Sequence, residues 1–474
     1  MNMKVKNPVF PILFGIVFFV LLIPFIYTLL LSTKDYKIIM GLFGSPFTGA
    51  ENFNTLLGSP YFPMILKNTV AISIISLFFG AVYVFFASMA IGGIANRWIK
   101  AVVAVVFAIP ALIPVTFARF FFPEAILTAQ MPGYQLMAGL LGGLRLAGLV
   151  SVVSLFTKGN VLKQGLKTTL LFVALKSVTF FSPDISISLN SYNPIIYEVA
   201  DTLATFMYRT GLLESNFSFS AAVGMLRMIL QLVLAIPMVF VLKYVMSEEK
   251  DVKPHQPVFG IFSISAIVPI IILLAALILC GSLLPDDVIF APYYANSLMV
   301  CIPTAILVAF ISYGVSLLGR NSGIFGIIGI AALCALTGNL ISEYMITRQL
   351  GLLNTHMAVI AGNLKLVPVI SMLFIFATKN DRSVKKDMSA IIIMAFVVFA
   401  WTWGDSFTDS IFLHDREKFT TSLCIREISL HNNPAYTATS PMTSAPLILI
   451  PVIVAFVCGV LSALLDKSSE PEVK

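Results

Sequence analysis

Six ionisable side chains, Arg119, Arg145, Lys176, Arg227, Glu343 and Lys365, fall in or near long apolar stretches of this 474-residue chain. A charge at a bilayer centre costs about 2.5–3.5 kcal/mol even on the lenient insertion scale, so such groups face protein or a wet cavity. Arg145 is the most central. It lies in Gly142-Gly-Leu-Arg-Leu-Ala-Gly148, where small neighbours permit close helix approach. Two chemistries suit it: donating hydrogen bonds to a polar solute on an internal path, or pairing with a carbonyl or carboxylate between helices. Lys176 and Arg227 sit nearer segment ends, where long side chains snorkel, and Glu343 and Arg119 lie close to an external end. No catalytic pattern accompanies these charges. There is no GxxxxGK[ST] phosphate loop, so the chain is not expected to hydrolyse ATP. His255, His356, His414 and His431 fall in connections without metal-ligand spacing. Cys280, Cys301, Cys334 and Cys458 lie in apolar segments and Cys424 alone in a loop, which suggests neither a disulfide framework nor a CxxC metal site. The expectation is a chain that is not an enzyme and binds no metal or cofactor itself.

The elements that must position these charges are apolar. Hydrophobic residues make up 58% of the sequence and charged ones 11%, a balance outside the range of soluble domains. Stretches of about 20 apolar residues, the length that spans a bilayer core, recur along the chain. Twelve are read at 9–32, 66–93, 100–122, 134–157, 164–181, 221–246, 259–284, 295–318, 323–346, 356–378, 388–404 and 444–465. Lipid cannot satisfy backbone groups, so these are expected to be helices and the fold class all-α, polytopic and transmembrane. The first stretch follows Lys4 and Lys6 but is too long for a signal peptide and lacks a small-residue cleavage site, which makes it a retained anchor. Lys and Arg concentrate in the connections that an N-in orientation places inside, so both termini are expected in the cytoplasm and the protein in the cytoplasmic membrane. The net charge of +7 is spread over many short connections and does not imply nucleic acid.

The polar run Ser247–Pro257 divides the stretches six and six. Residues 1–246 and 259–474 then form two domains joined by a linker at 247–258, both entering the membrane in the same direction. Each half ends with a large external loop, 182–220 or 405–443, and a final span. Residues 33–65, rich in Gly, Pro and aromatics, are expected to pack as a small external cap.

Several runs on the polar connections resemble the two membrane subunits of carbohydrate ABC importers of the polysaccharide type, here joined in one chain. The first half has Ser32-Thr-Lys-Asp-Tyr36, Gly49-Ala-Glu-Asn-Phe53 and Lys67-Asn-Thr69, then Asn193-Pro194, Tyr197-Glu-Val-Ala-Asp201 and Tyr208-Arg-Thr-Gly-Leu212. The second half has Asn296-Ser297, Tyr344 through Thr355, Trp401 and Leu423-Cys-Ile-Arg-Glu-Ile428. The resemblance covers nearly all of residues 10–465. It implies two six-helix permease domains forming one translocation path, a carbohydrate substrate, an extracellular solute-binding lipoprotein and a separate ATPase dimer that uses the ATP. It makes Arg145 a donor to sugar hydroxyls along the path, and Asn193, Tyr197, Asp201, Tyr208 and Arg209 contacts for the binding protein or outer gate.

One departure stands out. Permeases of this family carry a cytoplasmic Glu-Ala-Ala…Gly loop whose short helix docks into the ATPase. The corresponding connections here, Thr157–Lys167 and Lys379–Asp387, lack the motif. Lys158, Lys163, Lys167, Lys379, Arg382, Lys385 and Lys386 are the remaining candidates for ATPase contact, with topology enforcement as the plainer role. Two other readings stay open: a degenerate permease serving as a receptor or scaffold, and a secondary transporter. Against the latter, Ile94–Lys100 lacks the acidic, glycine-rich pattern expected between its second and third spans.

Overall fold

The computed structural model describes residues 9–94, 96–117, 133–157, 160–191, 194–245, 269–272, 274, 290–321, 324–378, 384–430 and 441–465. Among these residues the fold is helical, with one isolated bridge between Lys34 and Phe47. The long helices of the N-terminal half are α1 (Val9–Ser32), α2 (Phe62–Gly92), α3 (Arg97–Leu112), α4 (Gly133–Phe156, its last turn 3-10), α5 (Val161–Val178) and α6 (Phe217–Val245). Those of the C-terminal half are α7 (Ala291–Asn321), α8 (Ile324–Leu336), α9 (Leu340–Gln349), α10 (His356–Ala377, with a central 3-10 turn), α11 (Val384–Gly404) and α12 (Pro441–Leu465).

Seven of these helices, α2, α4, α6, α7, α10, α11 and α12, are long and apolar enough to cross a membrane, and α8 with α9 forms an eighth if the bent pair counts as one span. Twelve were expected, and the differences have local causes. Helix α3 stops after 16 residues, because Ile113 precedes Pro114 and takes an extended conformation. Helix α5 carries Lys163, Lys167 and Lys176 in 18 residues. Of α1, only Phe19–Ser32 enters as a shorter apolar helix. Most of the stretch at 259–284 lies outside the described residues. The ninth stretch is broken: α8 and α9 meet at 81°, with Gly338 at φ +76 in the break. The side chain of Asn339 then starts α9 by accepting from the Ile341 amide.

Packing follows the same plan in both halves. Helix α2 lies against α4 and α5, and α7 lies against α10 and α11. The last helix of each half crosses to the other, with α6 packing on α8 and α12 on α3. Helix α1 also packs on α6 and α9. Small residues permit the closest approach. A Cβ at Gly143 of α4 would lie 2.4 Å from the Ser76 carbonyl oxygen of α2, so only glycine fits there. The segment 33–61 folds as a cap, with Asn52 donating to the carbonyls of Ser32 and Lys34. Its Tyr36 amide donates to Ser218 Oγ at the start of α6 (2.9 Å).

The connections expected to be basic turns are shorter than read from sequence. Asn160 caps α5, accepting from the Leu162 amide, so Lys163 and Lys167 lie on the first turns of that helix rather than in a loop. Lys385 and Lys386 likewise belong to the start of α11. Lys158, Lys379 and Arg382 lie outside the described residues. Cys424 and His356 are helical rather than in loops, within Thr421–Leu430 and at the start of α10.

Candidate functional site

Two constellations recur in the two halves. The first ties the N-terminal end of a long helix to the loop segment before the last long helix of the same half. At the start of α2, Asn68 Nδ2 donates to the carbonyls of Glu198 (2.9 Å) and Asp201 (3.0 Å). The neighbouring Thr69 Oγ1 accepts from the Leu203 amide (2.9 Å). At the start of α7, Asn296 Nδ2 donates to the carbonyls of Glu417 (2.7 Å) and Phe419 (3.0 Å), and Ser297 Oγ accepts from the Thr421 amide (2.8 Å). An amide followed by a hydroxyl thus satisfies loop backbone groups that burial would otherwise leave unpaired.

The second constellation places a cation on the fourth long segment of each half beside an aspartate that follows the fifth. Arg145 of α4 pairs with Asp184 (2.6 Å), and Asp184 Oδ1 accepts from the Ser186 amide to start the helix Ile185–Ser191. Lys365 of α10 donates to Thr408 Oγ1 (3.1 Å), and Thr408 in turn donates to Asp405 (2.6 Å). Asp405 Oδ1 accepts from the Phe407 amide at the helix Phe407–Phe412. The two sets meet: Ser186 Oγ donates to Asp405 (2.7 Å), and Arg145 Nη2 to the Trp401 carbonyl (3.1 Å). The Arg145 guanidinium also lies 4.0 Å from the Trp401 ring centroid, an arrangement that attracts the cation to the ring face.

Burial alone would push the Asp405 carboxyl up, but Lys365, Arg145 and the hydroxyls of Thr408 and Ser186 outweigh it and hold the group below the usual aspartate range. Asp409 goes the other way. Burial, reinforced by the charge of Asp405, holds it well above that range despite the hydrogen bond from Thr420.

A cavity of about 250 Å³ opens beside these groups, lined from both halves. Its charged walls are Lys176, Asp184, Arg227, Glu343, Lys365 and Asp405. Lys365 stands 4.0 Å from Glu343. Arg227 Nη2 donates to the carbonyls of Gly338 (3.0 Å) and Thr337 (3.4 Å), and Nη1 to Ser182. Those carbonyls end α8 at its break, so a guanidinium sits where a helix presents its negative pole and unpaired acceptors.

Of the residues anticipated from sequence, Arg145 is buried behind the Trp401 wall and committed to the Asp184 carboxylate and to the ring and backbone carbonyl of Trp401, which is the pairing reading. Tyr197, Asp201 and Arg209 come together. Arg209 pairs with buried Asp201 (2.6 Å) and lies 5.0 Å over the Tyr197 ring. Tyr208 meets Phe407 of the other half edge-on, their ring centroids 5.7 Å apart. Asn193 lies outside the described residues. Lys163 is exposed and Lys167 half-buried at the opposite end of α5 from Lys176. Sequence reasoning noted Lys176, Arg227, Glu343 and Lys365 as costly charges but did not connect them, and it missed Asp184 and Asp405. The available signal was an aspartate at a turn after the fifth apolar stretch in each half.

No protein-family description, curated protein or solved structure was found to match the chain. Fold and composition define an all-α protein with several apolar, membrane-length helices. The site defines it further as one whose two sequence halves jointly enclose a charged cavity.

Proposed function

We propose that this chain is the membrane path of a solute importer of the carbohydrate ABC kind, with both permease halves, 1–246 and 259–474, in one polypeptide. The observation that carries this reading is the repetition of one plan. Each half anchors an external loop by an amide–hydroxyl pair and sets a cation against an aspartate. Each also sends its last helix onto the third segment of the other. Paired units of this sort carry polar solutes along their junction, and the charged cavity lies between them. The stretches at 9–32, 100–122, 164–181, 259–284 and 323–346 complete six segments per half, with both termini in the cytoplasm. A solute-binding lipoprotein delivers the carbohydrate at the loops containing Tyr208 and Arg209. A separate ATPase dimer uses the ATP, touching the helix ends that carry Lys163, Lys385 and Lys386.

A receptor or scaffold role has one specific observation in its favour. Only residues 157–160 separate the end of α4 from α5, which leaves no room for a docking helix. A stable interface needs about 800 Å² per partner. Uptake of a radiolabelled saccharide mixture by cells with and without the intact chain, with mass spectrometry of proteins pulled down from their membranes, separates the two. The permease reading expects chain-dependent uptake and a co-purifying ATPase that is lost on charge reversal at Lys163, Lys385 and Lys386. A co-purifying lipoprotein with no ATPase and unchanged uptake means the scaffold.

A further inference from the structure

The cavity wall carries three cations and three carboxylates, and Arg145 stands behind it as a fourth cation. Arg145 satisfies Asp184. Lys365 stands between Glu343 and the Thr408–Asp405 pair. Arg227 is spent on the carbonyls at the α8 break and on Ser182. Lys176 is the remaining cation. It is 4% exposed and lines the cavity, and among the described residues it makes no hydrogen bond or ion pair. The acid whose field reaches it is Asp184, already held by Arg145. A buried charge without a partner is costly unless something completes its coordination. Two further polar atoms on the same wall lack partners: Nε of Arg227 and Oε1 of Gln231.

We infer that the cavity binds an acidic solute, with the oxyanion of a carboxylated or phosphorylated monosaccharide seated on Lys176. Four cations there, counting Arg145 behind the wall, face three carboxylates, so one negative charge on the solute brings the site to neutrality. At about 250 Å³ the space falls just below the roughly 300 Å³ from which drug-sized pockets start, which suits one sugar ring. The inference rests on the cavity being the solute path and adds the charge of what travels along it.

The test is calorimetric titration of the full chain in lipid nanodiscs with galacturonate, galactose 6-phosphate and galactose, repeated on Lys176→Met and Lys176→Arg. Either acidic sugar should bind about tenfold or more tightly than galactose, and which one does so identifies the oxyanion. Lys176→Met should remove that margin and Lys176→Arg keep it. If Lys176→Met does not fold, the margin in the wild-type protein and its loss in high salt decide the matter. Equal affinity for all three sugars overturns the inference and leaves the permease reading standing. No binding of any of them at millimolar concentration overturns both.

Discussion

The two cation–aspartate sets hold matching places and are built to different tolerances. Around Arg145 each contact is short and buried: a carboxylate at 2.6 Å, a carbonyl at 3.1 Å and a tryptophan face at 4.0 Å. Around Lys365 the contacts are a hydroxyl at 3.1 Å and a carboxylate at 4.0 Å, and the side chain keeps about a quarter of its surface open. A planar guanidinium fixes geometry through several donors, whereas an ammonium on a flexible stem is a movable point charge. One half therefore contributes a structural clamp and the other an adjustable wall, although the chain builds both on the same plan.

The largest effect expected from breaking this contrast is at the clamp. Arg145→Met leaves the largely enclosed Asp184 without its ion-pair partner and should cost about 3 kcal/mol, read as a large drop in thermal unfolding temperature in nanodiscs. A drop no larger than that of Lys365→Met would erase the distinction. Next comes the contact that places the clamp. Gly143→Ala drives a Cβ into the Ser76 carbonyl and should cost about 1–3 kcal/mol. Gly329→Ala, which meets nothing within 4 Å, should stay within about 0.5 kcal/mol. Lys365→Met should cost less stability than Arg145→Met, since the ammonium stands 4.0 Å from Glu343 and holds one hydroxyl, yet reduce solute binding or uptake severalfold. Unchanged binding would show that this wall is not part of the path.

The subtlest effect is a pH slope. Asp409 is held above the ordinary aspartate range, beside ionised Asp405. A group raised on folding contributes stability that is complete below its unfolded value and is lost as pH rises through the folded one. The unfolding temperature should therefore decline from weakly acidic toward alkaline pH, and Asp409→Asn should flatten that decline. A slope that survives the substitution assigns it to another group.

Much of the scaffold was legible in sequence because lipid-length apolar runs signal helices directly. The starts of α2 and α7 lie within four residues of the stretches read at 66 and 295. Helix α3 and the α8–α9 break were harder to read, because hydropathy averages over a proline or a Gly338-Asn339 turn that backbone geometry does not ignore. At the site, Arg145 was conspicuous for being central in an apolar run. Its partner Asp184 was not, because an aspartate after Ser-Pro at a segment end looks like any solvated turn. Whether such a residue is buried depends on helices more than two hundred positions away. The Lys163 and Lys167 positions were misjudged for a related reason, since a polar run beside a span can be either a loop or the first turns of a helix. Only the Asn160 cap distinguishes them.

The crossing of the last helices has a bearing on how the protein is made. The face of α6 that packs on α8 has no cover until residues 324–336 have left the ribosome, and the face of α3 that receives α12 waits until the chain is almost finished. Neither half can be completed in isolation during synthesis, so a chain stopped near residue 246 would leave an unfilled interhelical seam in the bilayer, open to quality-control proteases. Carrying both halves on one polypeptide fixes their ratio at one to one and delivers each missing helix to the site that is waiting for it.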